Sequence, residues 1–313
     1  MDAGRAGQRR PLGQFGLRRS GGIWALAVLL AACGSSALPA SVIPEPGPSA
    51  SPTESATTST PSAAPSVDLA HPVGIIAIGH SGLTGQGTGV TDESVSDASW
   101  ATGTLPEVNS IYMRLVADVP ETEGHVSNTA KGGAEASALP LQATSALARV
   151  PAPRLAIVQT LDNDIRCEGS NVADVAASLE DALRTVHDAS PNTVILVLKQ
   201  PGRPSVASIQ RVVEADPTQV QAFTSGDQCS FFDADGKIQR DGIQKLNDVI
   251  DGYEAEMARV CGLVPNCFTD GGVGRAWVDE LEHLSGDYVH YNVAGQAKEA
   301  AEMWPRVAEI LGH

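Results

Sequence analysis

Four short segments carry groups suited to acyl transfer, and their order along the chain is as informative as their types. Ser81 follows the run Val73-Gly74-Ile75-Ile76-Ala77-Ile78-Gly79-His80, an apolar stretch of strand length whose glycines leave the turn beyond it room to expose a hydroxyl. Asn128-Thr129-Ala130-Lys131-Gly132-Gly133-Ala134 comes next, where a glycine lets a backbone N–H point at a bound oxygen. Leu161-Asp162-Asn163-Asp164 leaves a further apolar run, and an amide such as Asn163 can donate to a developing oxyanion, an interaction worth roughly 3–4 kcal/mol. Last stands Asp287-Tyr288-Val289-His290, in which both polar side chains can face one way across a single turn. A carboxylate so placed holds the imidazole tautomer that accepts a proton from serine. Each segment also has a plain structural use: Gly132-Gly133 as a turn, Asn163 as a helix cap, His290 as one of the chain's seven ordinary histidines. The joint order favours the chemistry.

The elements that must position these groups are legible in outline. Apolar, β-branched runs occur at 73–78, 155–159 and 193–198, with shorter ones near 125–127 and 266–269. Between them lie helical patterns: Val175, Leu179, Leu183 and Val186; then Ile243, Leu246, Ile250, Tyr253, Met257 and Val260; then Met303, Val307, Ile310 and Leu311. Strands alternating with amphipathic helices predict an α/β domain whose parallel sheet is covered on both faces. The segment 223–240 fits neither pattern and is expected to form a long loop pinned by Cys229. Within it Asp233-Ala234-Asp235-Gly236-Lys237 resembles a calcium loop, but Lys237 stands where a further oxygen ligand is needed and the glycine comes early, so a tight turn is expected.

The front of the chain speaks of place. Arg5, Arg9, Arg10, Arg18 and Arg19 precede an apolar stretch from Ile23 to Ala32, too short for a bilayer span of about 20 residues. Leu30-Ala31-Ala32-Cys33 then has the form of a bacterial lipobox. The reading is a lipoprotein signal peptide over 1–32, a Pro/Ser/Thr/Ala-rich tether over 33–67 starting at a lipidated Cys33, and a catalytic domain over 68–313. The expected location is extracytoplasmic, with the lipid anchor at Cys33 as the sole link to the cell membrane. The whole chain carries a net charge of −16; without residues 1–32 it keeps 16 basic against 36 acidic side chains, a net of −20. Such a surface repels nucleic acid and anionic lipid, so neither is expected as a partner. The domain is expected to act as a monomer.

Cysteine usage agrees with an oxidising compartment. Besides Cys33 there are Cys167, Cys229, Cys261 and Cys267, which allow three pairings. The short loop over Leu263-Val264-Pro265 favours Cys261–Cys267, which leaves Cys167 with Cys229. No Cys-x-x-Cys or paired-histidine spacing supports zinc, so neither a metal nor a cofactor is expected.

The four segments together resemble the SGNH (GDSL-type) hydrolases, over nearly the whole folded region from Val73 to about Leu311. The resemblance implies a three-layer α/β/α sandwich with a flavodoxin-like, five-stranded parallel sheet. It implies Ser81 as nucleophile, Asp287 and His290 as its triad partners, and an oxyanion hole of the Ser81 and Gly133 N–H groups with the Asn163 amide; Gly132 is the lesser candidate. The activity so implied is hydrolysis of small-molecule or glycan carboxylic esters, with short acyl chains preferred, through an acyl-enzyme. An acyltransferase with a carbohydrate acceptor and an inactive tethered binding domain are the alternatives. Two departures stand out: His80 replaces the family's aspartate, which makes it a second candidate base beside Ser81, and Leu161 replaces a glycine. Leucine there implies a backbone that avoids positive φ. The ordinary α/β-hydrolase elbow is disfavoured, because Leu83 occupies the place of its second glycine and acid and base lie only three residues apart.

Overall fold

Parallel strands with fully buried flanks need helices on both sides, and that is how this chain folds. The computed structural model describes residues 68–90, 95–222 and 229–313. The signal-peptide segment and the whole of the tether, Cys33 included, lie outside them, as do residues 223–228 of the expected loop. The strands are β1 (Ile75–Gly79), β2 (Val126–Asn128), β3 (Leu155–Gln159), β4 (Val194–Val197) and β5 (Cys267–Thr269). They form one five-stranded sheet in the order β2-β1-β3-β4-β5, with every pair parallel. All five coincide with the runs read from the sequence, shifted by a residue or two at their ends.

The helices are α1 (Ile111–Asp118), α2 (Leu139–Leu147), α3 (Val172–Ala189), α4 (Val206–Ala215), α5 (Gln219–Ala222), α6 (Arg240–Cys261), α7 (Val273–Ala276) and α8 (Val293–Leu311). Side-chain alternation divides the core in two. Ile76, Ile78, Ala156, Val158, Ile195 and Val197 pack toward α2, α3 and α6, while Ile75, Ala77, Leu155, Ile157 and Leu196 pack toward α1 and α8. β1 and β3 are therefore buried on both faces, and the result is a three-layer α/β/α sandwich. Each fully buried Ile, Leu or Val contributes about 1.5–3 kcal/mol relative to exposure. The periodic residues of α3 and α6 are all buried; in α8 Met303 and Val307 are buried, and Ile310 and Leu311 lie at the core's edge. Among the described residues no helix is long and apolar enough to cross a membrane.

Both expected disulfides are formed, Cys261–Cys267 and Cys167–Cys229, with Cα separations of 5.3 and 4.9 Å. The first ties the end of α6 to β5; the second ties residue 229 to the segment after β3. Asp233 to Lys237 make a tight turn. The Asp233 carboxylate accepts the N–H groups of Asp235 and Lys237, each at 2.9 Å, and Phe232 bridges to Ile238 across the turn.

One expectation is overturned. Leu161 does adopt a positive φ, +122°, a conformation costing on the order of 1–3 kcal/mol in a residue with a side chain. Burial compensates: its side chain is wholly enclosed in the core beside α2 and α3. The turn is closed by the Asp164 and Ile165 N–H groups, which donate to the Leu161 carbonyl at 2.7 and 3.1 Å.

Candidate active site

The strand order places β1 between β2 and β3, where successive crossovers run in opposite directions. That reversal is the crevice in which doubly wound sheets bind ligands. The segments leaving β1, β2 and β3 carry Ser81, Gly133 and Asn163 to neighbouring positions, and all three line one cavity of about 540 Å³ together with His290.

Ser81 opens a single helical turn, Ser81–Leu83, directly after β1. That turn is held on every side. The Gly79 peptide just before it is clamped by the Gln142 side chain of α2, whose Oε1 accepts the Gly79 N–H at 2.6 Å and whose Nε2 donates to the Gly79 carbonyl at 3.0 Å. The Trp100 indole donates to the Gly82 carbonyl at 3.0 Å, and Ser99 and Asn128 donate to the Leu83 carbonyl at 2.7 and 2.8 Å. His80 is buried and does not line the cavity. Its Nδ1 accepts the Gly82 N–H at 3.0 Å, and its Nε2 lies 3.6 Å from the Asp162 carboxylate.

Gly133 occupies the third position of a turn closed by Ala134 N–H to Lys131 O at 3.1 Å, with φ +74°. That geometry is the type II turn, in which glycine is favoured at this place. A Cβ at Gly133 would meet nothing within 4 Å, whereas one at Gly132 would meet the Gln86 amide oxygen at 2.5 Å. Asn163 does not cap α3, whose N-cap is Asn171. Its Nδ2 donates to the Ala134 carbonyl at 2.9 Å, and the neighbouring Asp164 carboxylate accepts the Ala136 N–H at 3.0 Å. The Asn163-Asp164 pair thus fastens the Gly133 turn to the end of β3. Burial pushes the Asp164 carboxyl up, against the pull of the Ala136 and Thr160 donors.

Asp287 and His290 lie on a loop between a Leu284–Tyr291 bridge, just ahead of α8. Asp287 Oδ1 accepts from Ser285 Oγ at 2.6 Å and from the Val289 and His290 N–H groups at 2.9 Å each. Its Oδ2 stands 2.7 Å from His290 Nδ1. Burial pushes this carboxyl up, but the four donors outweigh it and hold it well below the usual carboxylate range. Tyr288 between them takes φ +57°, so the loop tolerates strain to present both side chains. The loop meets the nucleophile segment at Gly87, where a Cβ would approach His290 Cβ to 2.7 Å. Only glycine permits that contact.

Asp162, Asp279 and Arg211 also line the cavity, and Tyr291 and Trp277 both donate to Asp279 Oδ1 at 2.9 Å. Desolvation nonetheless pushes the Asp279 carboxyl up. Glu299 of α8 is buried with no hydrogen-bond partner on either oxygen, and burial first, then Asp279 and Asp162, push it far above the usual range. Among the described residues Glu280, Glu282 and His283 bring three ligand-type atoms within 4.8 Å of one another, but both glutamates are exposed and none of the three lines the cavity.

Sequence reasoning did not find Gln142, Trp100, Ser99 or the Arg203–Glu254 ion pair at 2.6 Å beneath the β4–α4 loop. A tryptophan and a serine in an unpatterned stretch carry no signal of their own. The one trace of Gln142 is a glutamine on the apolar face of α2, between Leu139, Ala143 and Ala146.

No family model and no curated protein matches the chain. Solved structures do. The chain is similar to an extracellular lipase from Streptomyces rimosus, at 17% identity and a TM-score of 0.43 over 75% of this chain and 99% of the other. It is similar to a family 3 carbohydrate esterase from Clostridium thermocellum, at 15% identity and a TM-score of 0.46 over 76% and 96%. A phospholipase A1 from Streptomyces albidoflavus aligns at 14% identity and a TM-score of 0.44 over 75% and 99%.

Proposed function

We propose that this chain is a serine ester hydrolase of the SGNH type. The observation that carries the reading is the convergence of Ser81, Gly133, Asn163 and His290 on one cavity, with His290 Nδ1 held by Asp287 at 2.7 Å. A neutral imidazole whose Nδ1 donates to a carboxylate has its free lone pair on Nε2. His290 Nε2 takes the proton of Ser81 as Oγ attacks the ester carbonyl carbon. The carbonyl oxygen gathers negative charge and is met by the Ser81 and Gly133 N–H groups and the second Asn163 Nδ2 hydrogen. The C–O bond to the alcohol then breaks as His290 returns the proton to the leaving oxygen. Water, deprotonated by the same Nε2, attacks the acyl-enzyme and regenerates Ser81. The site as described asks for no metal or organic cofactor.

Short acyl chains, on small-molecule or glycan esters, are the expected substrates. The basic and apolar leader and the Leu30-Ala31-Ala32-Cys33 motif support a lipidated, extracytoplasmic enzyme held on a Pro/Ser/Thr/Ala tether. The test is covalent: a fluorophosphonate probe is expected to label wild-type protein at Ser81 and to leave Ser81→Ala unlabelled. The same variant is expected to fold and to lose p-nitrophenyl acetate turnover by at least about 10³-fold. Equal labelling of both proteins overturns the assignment.

A further inference from the structure

We infer that His80 is a positioning residue for the nucleophile, able to hold the Ser81 turn only as the neutral imidazole protonated on Nε2. The turn needs an acceptor for the Gly82 N–H, because that N–H lies in the first turn of a helix and has no carbonyl behind it. His80 Nδ1 supplies the acceptor at 3.0 Å. An imidazole nitrogen accepts only when it carries no proton, so both the imidazolium and the Nδ1–H tautomer present a donor to a donor. The ring is buried, so water does not replace the lost bond.

The surroundings select the required tautomer. Asp162 stands 3.6 Å from Nε2, and that nitrogen makes no hydrogen bond of its own. A carboxylate at that distance favours the proton on Nε2, which leaves the Nδ1 lone pair for Gly82. Asp162 and Asp164, both from the segment after β3, are the charged groups that interact with the ring. Asp162 is itself held in place by the Gln200 amide. The chain therefore contains two carboxylate–histidine pairs with different tasks. In Asp287–His290 the carboxylate accepts a hydrogen bond from Nδ1–H and leaves Nε2 as base. In Asp162–His80 it draws the proton to Nε2 and leaves Nδ1 as a cap. With Nδ1 on the Gly82 N–H and Nε2 facing Asp162, the ring turns neither nitrogen to Ser81.

The kinetic consequence rests on the hydrolase reading: His290 acts as the base, and His80 as a cap that raises the rate by orienting the nucleophile turn. Two sets of measurements separate the inference from that reading. The first uses Ser81→Ala, which has no turnover to lose. Long-range ¹⁵N–¹H spectra of the histidine rings are expected to show His80 as the Nε2–H tautomer, with a hydrogen-bond coupling from the Gly82 N–H to His80 Nδ1. A His80 ring protonated on Nδ1, or a Gly82 N–H without that coupling, overturns the inference whatever the enzyme does.

The second set is kinetic, on p-nitrophenyl acetate across about pH 5 to 8. His80→Ala is expected to lose about tenfold in kcat with KM changed less than about twofold, since it removes one orienting hydrogen bond from the nucleophile turn and leaves the cavity wall in place. His80→Asn, whose amide oxygen accepts the Gly82 N–H and does not titrate, is expected to recover most of that loss. His80→Asn no better than His80→Ala refutes the cap.

Discussion

Replacing Asp287 by asparagine separates what this carboxylate does for the loop from what it does for the base. Oδ1 accepts three hydrogen bonds, from Ser285 Oγ and from the Val289 and His290 N–H groups. An asparagine oxygen can keep all three. What changes is the group facing His290 Nδ1, where an NH₂ replaces an acceptor at 2.7 Å. The imidazole then turns its lone pair to the amide and carries its proton on Nε2, the nitrogen that must accept from Ser81. The matching exchange in a serine protease triad, an established case, lowers kcat by about 10⁴ with the geometry intact, or about 5.5 kcal/mol at the barrier. The same size is expected here, because Asp287 stands to Nδ1 as that aspartate does. Stability should change by no more than about 1 kcal/mol, since the loop's backbone acceptor survives. Asp287→Ala removes all four hydrogen bonds and should lose activity and loop order together. Because the folded-state carboxyl lies below its ordinary value, its stabilising contribution is complete above the unfolded value near 3.8 and is lost only as pH falls below it. Its titration therefore does not touch activity between about pH 5 and 8, and the acid limb belongs to histidine. The assay is kcat on p-nitrophenyl acetate beside thermal melting of the same samples. Asp287→Asn within tenfold of wild-type kcat would refute the tautomer argument.

Two further outcomes follow from named contacts. On the proposed reading, in which the amide acts on the oxyanion, Asn163→Ala should cost about 100-fold or more in kcat at nearly constant KM; a loss confined to KM would make it a substrate-binding group. Glu299→Gln should raise the melting temperature by roughly 2–4 °C, the effect of about 1 kcal/mol in a domain of this size, and by more at pH 8 than at pH 5. The sign follows from its raised value: the folded state favours the protonated carboxyl, so stability is full below the unfolded value near 4.5 and declines as pH rises above it. A gain that shrinks with pH contradicts this.

The strands could be read in advance because β1 and β3 are buried on both faces, and burial on both faces leaves uninterrupted β-branched runs. α3 and α6 were legible because each buries one stripe and leaves the rest wet. The triad and oxyanion candidates were legible because each sits one turn beyond a strand or ahead of a helix, where local sequence records it. The groups that hold Ser81 still were not. Gln142 clamps Gly79 from 63 residues away, and in a list of residues a glutamine reads as surface. Trp100 binds the Gly82 carbonyl from within a stretch of no regular period. Leu161 misled in the other direction, because steric preference disfavours the positive φ that the folded turn adopts with this side chain buried.

By itself the sequence determined an alternating α/β chain, a favoured pairing among three for the cysteines, and the types and order of the groups suited to ester chemistry, all of them local properties. Whether those groups meet was decided by the tertiary structure. Strand order β2-β1-β3 sets the ends of three separate strands side by side, and the close approach of Gly87 to His290 brings the last loop to the first. His80 shows the division most sharply. Sequence left it open as a second candidate base beside the nucleophile. Burial and the direction of one lone pair, neither visible in a string of residues, make it the hydrogen-bond partner of the turn that carries Ser81.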